Sequence, residues 1–160
     1  MTIKVGDKVP SVKLKQMTAE GVKEVSTDDF FKGKKVVLFA LPGAFTPTCS
    51  AKHLPGFVQN AETIKAKGVD AIACLSVNDA FVMNAWGKDQ KADGKVTMLA
   101  DGNGDFTRAV GLELDATANG LGKRSKRYAM VVDNGVVKTL NVEAPGAFEV
   151  SSAEAILKAL

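Results

Sequence analysis

The chain has 160 residues, of which 46% are hydrophobic and 24% are charged, and its formal net charge at pH 7 is +3. This length and composition are typical of a globular domain, so we predict a single domain over residues 1–160. The charge is too small to predict nucleic-acid binding, and the longest apolar run, at 36–41, is far too short to span a membrane.

The N-terminal part predicts a β-hairpin followed by a short helix. Two β-rich runs, 9–17 and 22–26, flank a turn and are expected to pair. Ser26 or Thr27 is positioned to cap a helix over the DDFF sequence that comes next. We expect this hairpin to extend the main sheet of the domain.

Three strands are predicted in the middle of the chain. The first two are continuous apolar runs, a pattern typical of buried strands covered on both faces. The three predicted strands are KKVVLFALPG, 69–77 and 96–101.

A helix is predicted after each of these strands. The first should begin near 46–48, since proline is tolerated in a first turn, be disturbed at 55–56, and end at Gly68. Asn78 or Asp79 is expected to cap the second helix. The third is short and follows the last of the three strands.

The C-terminal part predicts a second hairpin and a final helix. RYAMVVDNGVVKTLNVE has two β-rich runs around a turn at 133–135, and Ser151 or Ser152 is positioned to cap an amphipathic helix. The order β-α-β, further α/β alternation, then β-β-α is that of a thioredoxin-like fold. We therefore predict an α/β thioredoxin-like fold, with a central mixed sheet, helices on both faces and an N-terminal hairpin extension.

Cys49 is the cysteine whose surroundings favour reactivity. The strand and turn before it place it in the first turn of a predicted helix, where free N–H groups and the helix dipole stabilise a thiolate. Thr46 is spaced so that its hydroxyl could reach the same sulfur or a substrate beside it. The alternative role for Cys49 is that of a small buried apolar residue.

The stretch PGAFTPTCS, followed by HLPGF, resembles the active-site signature of the type II, or peroxiredoxin-five-like, branch of the peroxiredoxins. Three further segments resemble that branch in the same order, KGVDAIACLSVNDAFVMNAWGK, KVTMLADGNGDFTRAVGLELD and KRSKRYAMVVDNGVVKTLNVE. The resemblance covers nearly the whole chain. It implies a cofactor-free peroxidase that reduces hydrogen peroxide and alkyl hydroperoxides while its cysteine becomes a sulfenic acid.

The resemblance also implies roles for four residues. Cys49 would be the nucleophile that attacks the peroxide, and Thr46 would form a hydrogen bond with the peroxide oxygens. Pro42 would shield the sulfur and shape the pocket. Arg127 would supply a cation that stabilises the thiolate and the departing oxygen. A homodimer is implied in the same way.

The regeneration of Cys49 is expected to need an external thiol. Some members of this branch carry a resolving cysteine before the last helix, but here that segment is EAPGAFEVSSAEAIL. Cys74 lies in a predicted core strand, where an inert thiol is expected, and pairing with Cys49 would require Cα atoms within about 7 Å. We expect glutathione with glutaredoxin as the reductant, and thioredoxin as the alternative; participation of Cys74 stays open.

Other polar residues have competing interpretations. His53 follows Cys49 by one helical turn, which would suit a cysteine hydrolase, but no partner acid is evident and we expect it on the helix surface or at the pocket edge. Lys123 and Lys126 are expected in solvent, while the position of Arg124 stays open. A thioredoxin-type oxidoreductase would need a second cysteine in a C-x-x-C pair. A non-catalytic binding module is the remaining alternative.

The cysteine content also predicts a location. Two cysteines do not make a disulfide framework, which favours a reducing compartment, and the first ten residues have no apolar signal segment. We expect a cytoplasmic protein, although a mature organellar form without its transit peptide would have the same features.

Overall fold

A seven-stranded mixed sheet runs through the structure, a computed structural model that describes residues 2–160. Strands β6 and β7 form a separate small sheet, and the other seven make up the main sheet. In chain order the strands are β1 (Lys13–Thr18), β2 (Gly21–Ser26), β3 (Lys35–Ala40), β4 (Ala71–Ser76), β5 (Thr97–Ala100), β6 (Glu113–Ala116), β7 (Gly122–Ser125), β8 (Tyr128–Asp133) and β9 (Val136–Val142). The helices are α1 (Thr27–Phe31), α2 (Leu54–Ala66), α3 (Ala80–Asp89), α4 (Asp105–Ala109) and α5 (Ala153–Ala159), with a π-helical turn at Cys49–His53 and a 3₁₀ turn at Thr117–Asn119.

The strand order of the main sheet is β2-β1-β5-β4-β3-β8-β9. The central strands β3, β4 and β5 are parallel, and β8 runs antiparallel to β3. The predicted N-terminal hairpin, β1 and β2, joins the β5 edge. The predicted mixed sheet with a hairpin extension is therefore confirmed. A separate two-stranded sheet, β6 and β7, was not predicted.

The core lies on both faces of this sheet. Strand β3 is buried along almost its whole length, with Val37 and Phe39 in one core cluster and Val36 and Leu38 in the other. The first cluster includes residues of α2, α3 and α5, whereas the second includes residues of α1 and α4. Side chains of a strand alternate between faces, so the continuous apolar run of β3 serves both clusters. Helices on both faces are thus confirmed.

Helix caps follow the predictions at two of three helices. The Asp79 carboxylate accepts the Val82 N–H at 2.8 Å at the start of α3. The Ser152 hydroxyl accepts the Ala155 N–H at 3.1 Å at the start of α5. At α1 the predicted cap is wrong, because neither candidate side chain caps the helix. The Thr27 hydroxyl instead bonds the chain before β1, at 10–12.

The long helix departs from prediction near its beginning. The disturbance expected at 55–56 lies earlier, at the π-helical turn, where the Leu54 N–H donates to the Cys49 carbonyl. Pro55 itself fits within the first turn of α2, where its missing N–H breaks no helical bond. The helix ends at Ala66, and Gly68 follows with φ +93°, as its predicted role at the helix end requires.

Candidate active site

Cys49 is delivered to the end of the sheet by β3 and the turn that follows it. Its side chain is fully buried, and it opens the π-helical turn that leads into α2. The preceding loop is tightly bonded, because the Thr46 hydroxyl donates to the Gly43 carbonyl at 2.6 Å and the Ser50 N–H donates to the Thr46 carbonyl at 2.9 Å. Phe45 takes the left-handed conformation with φ +63°. The bend therefore fixes the entry of the helix that carries the sulfur.

Arg127 lies against this sulfur. It directly precedes β8, whose Tyr128 pairs with Ala40 at the end of β3, so the sheet brings Arg127 and the loop after β3 to the same edge. One guanidinium nitrogen, Nη2, donates to Cys49 Sγ at 3.2 Å. The structure thus brings together two of the residues implied by the resemblance, Cys49 and Arg127.

His53 is the main correction to the sequence interpretation. It was expected at the helix surface or pocket edge, but its side chain is fully buried. The ring is surrounded by Phe39, Phe57 and Phe148, with centroids 4.9, 5.7 and 5.1 Å away. The wide turn directs the ring inward, and these aromatic rings cover it.

The two ring nitrogens of His53 have different partners. Nδ1 lies 2.9 Å from Arg127 Nη1, and Nε2 lies 3.0 Å from the Ser151 carbonyl oxygen. Burial first, and then the charge of Arg127, lower the pKa of His53 from 6.5 to about 3. The imidazole is therefore neutral near pH 7. The hydrogen bond to Arg127 occupies the nitrogen nearest the site, which disfavours a hydrolase dyad.

Pro42 and Thr46 lie in the same loop, beside a second arginine. Arg124 Nη1 donates to the Pro42 carbonyl at 3.3 Å, and its Nε donates to the Leu121 carbonyl at 2.9 Å. A Cβ at Gly43 would lie 2.9 Å from Arg124 Nη1, so a side chain there would displace the end of Arg124 from the loop. The open question about Arg124 is resolved: it is half-buried and bonded to the active-site loop.

A pocket of about 190 Å³ opens beside Arg127. Its walls come from the loop after β3, strand β6, the connection between β7 and β8 and the loop after β9: Pro42, Thr48, Leu114, Lys126, Arg127, Glu143, Ala144, Pro145, Gly146 and Ala147. Arg127 contacts both this pocket and the Cys49 sulfur. Lys123 and Lys126 are exposed, as predicted, and Lys123 forms a 2.9 Å ion pair with Asp115.

Cys74 lies in β4, as predicted, and is fully buried. Burial raises the pKa of its thiol well above the ordinary value, and the nearby Cys49 raises it further. Both cysteines are free. A buried thiol with a raised pKa forms little thiolate, so Cys74 is poorly suited to attack another sulfur from this position.

The residues that sequence reasoning missed are His53 as an internal contact and Glu143. The Glu143 carboxylate accepts hydrogen bonds from the backbone of 149–151. The spacing from Cys49 could have placed His53 on the inner side if the wider turn had been anticipated. No signal in the sequence singles out Glu143.

Two classes of site find no support in the part of the chain that the structure describes. Within residues 2–160 there is no group of three or more His, Cys, Asp or Glu side chains arranged to bind a metal ion. No helix in that range is long and apolar enough to cross a membrane.

Comparisons with known proteins show which family and which proteins this chain is similar to. The Redoxin family matches residues 4–157. The chain is 55% identical to "Peroxiredoxin-2E, chloroplastic" of Arabidopsis thaliana, over 99% of this chain and 70% of that protein. It is 52% identical to Peroxiredoxin-2C of Arabidopsis thaliana, over 99% of this chain and 98% of that protein.

Solved structures show the same similarity. Reduced Prx3 in complex with H2O2 from Vibrio vulnificus superposes with a TM-score of 0.96 at 58% identity, covering 99% of both chains. Peroxiredoxin 5 from Alvinella pompejana superposes with a TM-score of 0.87 at 38% identity, covering 98% of this chain and 96% of that chain.

Proposed function

The chain belongs to the redoxin family as a peroxiredoxin of the type II, or peroxiredoxin-five-like, branch, and from this premise we propose a one-cysteine peroxidase cycle at Cys49. It is a thiol peroxidase. The proposed substrates are hydrogen peroxide and alkyl hydroperoxides. The 3.2 Å hydrogen bond from Arg127 to the Cys49 sulfur carries the proposal.

The first step is attack of the Cys49 thiolate on one peroxide oxygen. An S–O bond forms as the O–O bond breaks, and the second oxygen leaves with a proton as water or an alcohol. The thiol proton is the one that the product gains, so the net change converts thiol and hydroperoxide into sulfenic acid and alcohol. Cations next to a cysteine stabilise its thiolate, and donors aimed at the departing oxygen lower the barrier. We assign both tasks to Arg127, and its contact with the Cys49 sulfur supports the first.

Pro42 and Thr46 have supporting roles in this proposal. Pro42 lines the pocket and limits the access of water to the reacting atoms. The Thr46 hydroxyl gives its proton to the Gly43 carbonyl, which leaves its oxygen free to accept a hydrogen bond. We assign that oxygen to the peroxide hydrogen.

The second half of the cycle uses an external thiol. A glutathione thiolate attacks the sulfenic sulfur, and an S–S bond forms as the S–O bond breaks. The oxygen leaves as hydroxide and takes a proton from the solvent to become water, and a mixed disulfide remains. Glutaredoxin or a second glutathione then exchanges with this disulfide and releases the Cys49 thiol. Burial of Cys74 in β4 and the lack of cysteine between 143 and 160 support this route. Reduction by thioredoxin is the second candidate.

The test is peroxide consumption by the wild type, Cys49→Ser and Cys74→Ser, each with glutathione plus glutaredoxin and separately with the thioredoxin system. We expect Cys49→Ser to be inactive and Cys74→Ser to keep its activity, with glutaredoxin as the faster reductant. Loss of turnover in Cys74→Ser would show that Cys74 resolves the sulfenic acid. Faster turnover with thioredoxin would replace the proposed reductant.

Assembly and location complete the proposal. We propose a homodimer, supported by the exposed aromatic side chains Phe45 and Phe81, which are 53% and 67% accessible. Sedimentation of the reduced protein as a monomer at micromolar concentration would contradict it. We propose a cytoplasmic location from the two free cysteines; the chloroplastic names of two relatives make an organelle the alternative, which a fluorescent fusion distinguishes.

A further inference from the structure

Glu143 is a buried carboxylate that the proposed peroxidase steps do not use. It follows β9 directly and is only 7% exposed. Its oxygens accept the backbone N–H groups of Glu149, Val150 and Ser151 at 2.8–3.0 Å, and the Ser151 hydroxyl at 2.7 Å. Hydrogen bonds to an ionised acceptor are stronger than neutral ones. The side chain therefore fixes the backbone at Ser151 firmly.

These contacts are part of a closed ring of hydrogen bonds. The Glu143 N–H donates to the Arg127 carbonyl at 3.0 Å, which extends the β8–β9 pairing by one residue. From Arg127 the guanidinium reaches His53, and His53 reaches the Ser151 carbonyl. Ser151 then returns to the Glu143 carboxylate. Arg127 and Glu143 are thus joined twice, once by backbone and once through side chains.

The closed ring of hydrogen bonds determines the tautomer of His53. A guanidinium N–H can only donate and a carbonyl oxygen can only accept. Arg127 must therefore donate to Nδ1, and the proton of the neutral imidazole must lie on Nε2, facing Ser151. If the Ser151 carbonyl moved away, the Nε2–H group would lose its acceptor, and the imidazole would no longer be held in the orientation that offers Nδ1 to Arg127. An imidazole turned away from Arg127 would have no donor at Nδ1, so its proton would be shared between the two nitrogens.

We propose that Glu143 is a positioning residue for the peroxidase reaction, acting through Ser151 and His53 on the Arg127 guanidinium beside Cys49. The proposal rests on the proposed function of Cys49. Within residues 2–160 no ion pair joins Glu143 to Arg127. The hydrogen bonds of the ring are therefore the contacts that join the carboxylate to the guanidinium, and the Glu143 charge also acts on His53 directly, raising its pKa against the larger effect of burial.

The test compares Glu143→Gln with Glu149→Gln, which removes an exposed carboxylate of the same segment. The chain has one histidine, so the imidazole ¹⁵N signals in an NMR spectrum at pH 7 belong to His53 alone. We expect the neutral Nε2–H tautomer in the wild type and in Glu149→Gln. Glu143→Gln should show a mixture of tautomers. An unchanged tautomer in Glu143→Gln would overturn the proposal.

Kinetics provide the second readout. The rate constant for H2O2, measured by competition with horseradish peroxidase, should fall about tenfold in Glu143→Gln, since small displacements of a positioned group are costly to rate. It should not change in Glu149→Gln. In a His53→Gln background, Glu143→Gln should change the rate by less than about twofold, because both residues act on one path. A full tenfold loss in that background would refute the shared path.

Two further outcomes are distinguishable. If the wild type consumes no peroxide, the proposed function fails, whereas the tautomer comparison still decides whether Glu143 controls His53. If Glu143→Gln does not fold, Ser151→Ala replaces it, because this variant removes only the 2.7 Å hydroxyl contact. It should then shift the tautomer in the same direction by a smaller amount, and an unchanged spectrum would count against the proposal.

Discussion

The burial of His53 makes the stability of this protein sensitive to mild acid. In the unfolded chain the imidazole has a pKa near the ordinary value, about 6.5. In the folded chain burial, together with the Arg127 charge, lowers the pKa to about 3. Because the folded pKa is the lower one, the unfolded chain binds a proton first as the pH falls. Stability is therefore complete above pH 6.5 and is lost progressively down to pH 3.

The size of the effect follows from these two values. Linkage over the interval from pH 7 to pH 5 gives a loss of about 2 kcal/mol in the free energy of unfolding. This figure is unchanged by the folded pKa as long as that value stays below about 4. Glu143 also loses its contribution to stability as the pH falls, but at lower pH, since its hydrogen bonds lower its pKa despite burial. The contribution of Asp101 to stability changes in the opposite direction and grows as the pH falls, because burial raises its pKa.

The assay is urea unfolding of the reduced protein at pH 7 and pH 5, followed by circular dichroism, for the wild type and His53→Gln. The variant removes the only histidine, so other titrating groups cancel in the comparison. The wild type should lose about 2 kcal/mol more than the variant between the two pH values. Equal losses in the two proteins would refute the assignment of a buried, neutral His53.

Three further predictions concern the loop, the cation and a helix cap. Arg127→Lys should lower the H2O2 rate constant at least about tenfold, because an ammonium cannot keep both contacts of the guanidinium fork; an unchanged rate would contradict this. Gly43→Ala should also slow the reaction, since its Cβ would lie 2.9 Å from Arg124 Nη1. Gly56→Ala serves as the control, because its Cβ would lie 3.9 Å from its nearest neighbour and should leave the rate unchanged. Asp79→Ala should destabilise the protein by about 1 kcal/mol in urea unfolding, through loss of the α3 cap, with peroxide kinetics unaffected.

The sequence was sufficient for the elements whose pattern is local. The continuous apolar runs of β3 and β4 identified central strands, and the cap of α3 was narrowed to two neighbouring short polar residues, of which Asp79 is the one that caps. The β6–β7 sheet was missed because its strands, ELDA and GKRS, are short and contain no β-branched residue. Such strands depend on tertiary contacts, which no window of sequence displays.

The active site, like the fold, was predictable only where its residues are neighbours in the chain. The position of Cys49 followed from a strand, a turn and a helix start, which are neighbours in the chain. The environment of His53 depends on Phe148 and Ser151, which are far away in sequence. Glu143 gave no signal because three of its partners are backbone N–H groups, which every residue except proline offers. Residues that act through distant backbone are the ones that sequence patterns miss.

Trp86 gives this protein an internal optical reporter. It is the only tryptophan in the chain, and its indole N–H donates to the hydroxyl of Ser50, the residue after Cys49, at 3.0 Å. If the π-helical turn unwinds during the cycle, that hydrogen bond must break and the indole emission must change. Stopped-flow fluorescence of the unlabelled chain can therefore follow the turn in real time. An emission that stays constant through oxidation would mean that the turn remains wound while the sulfur reacts.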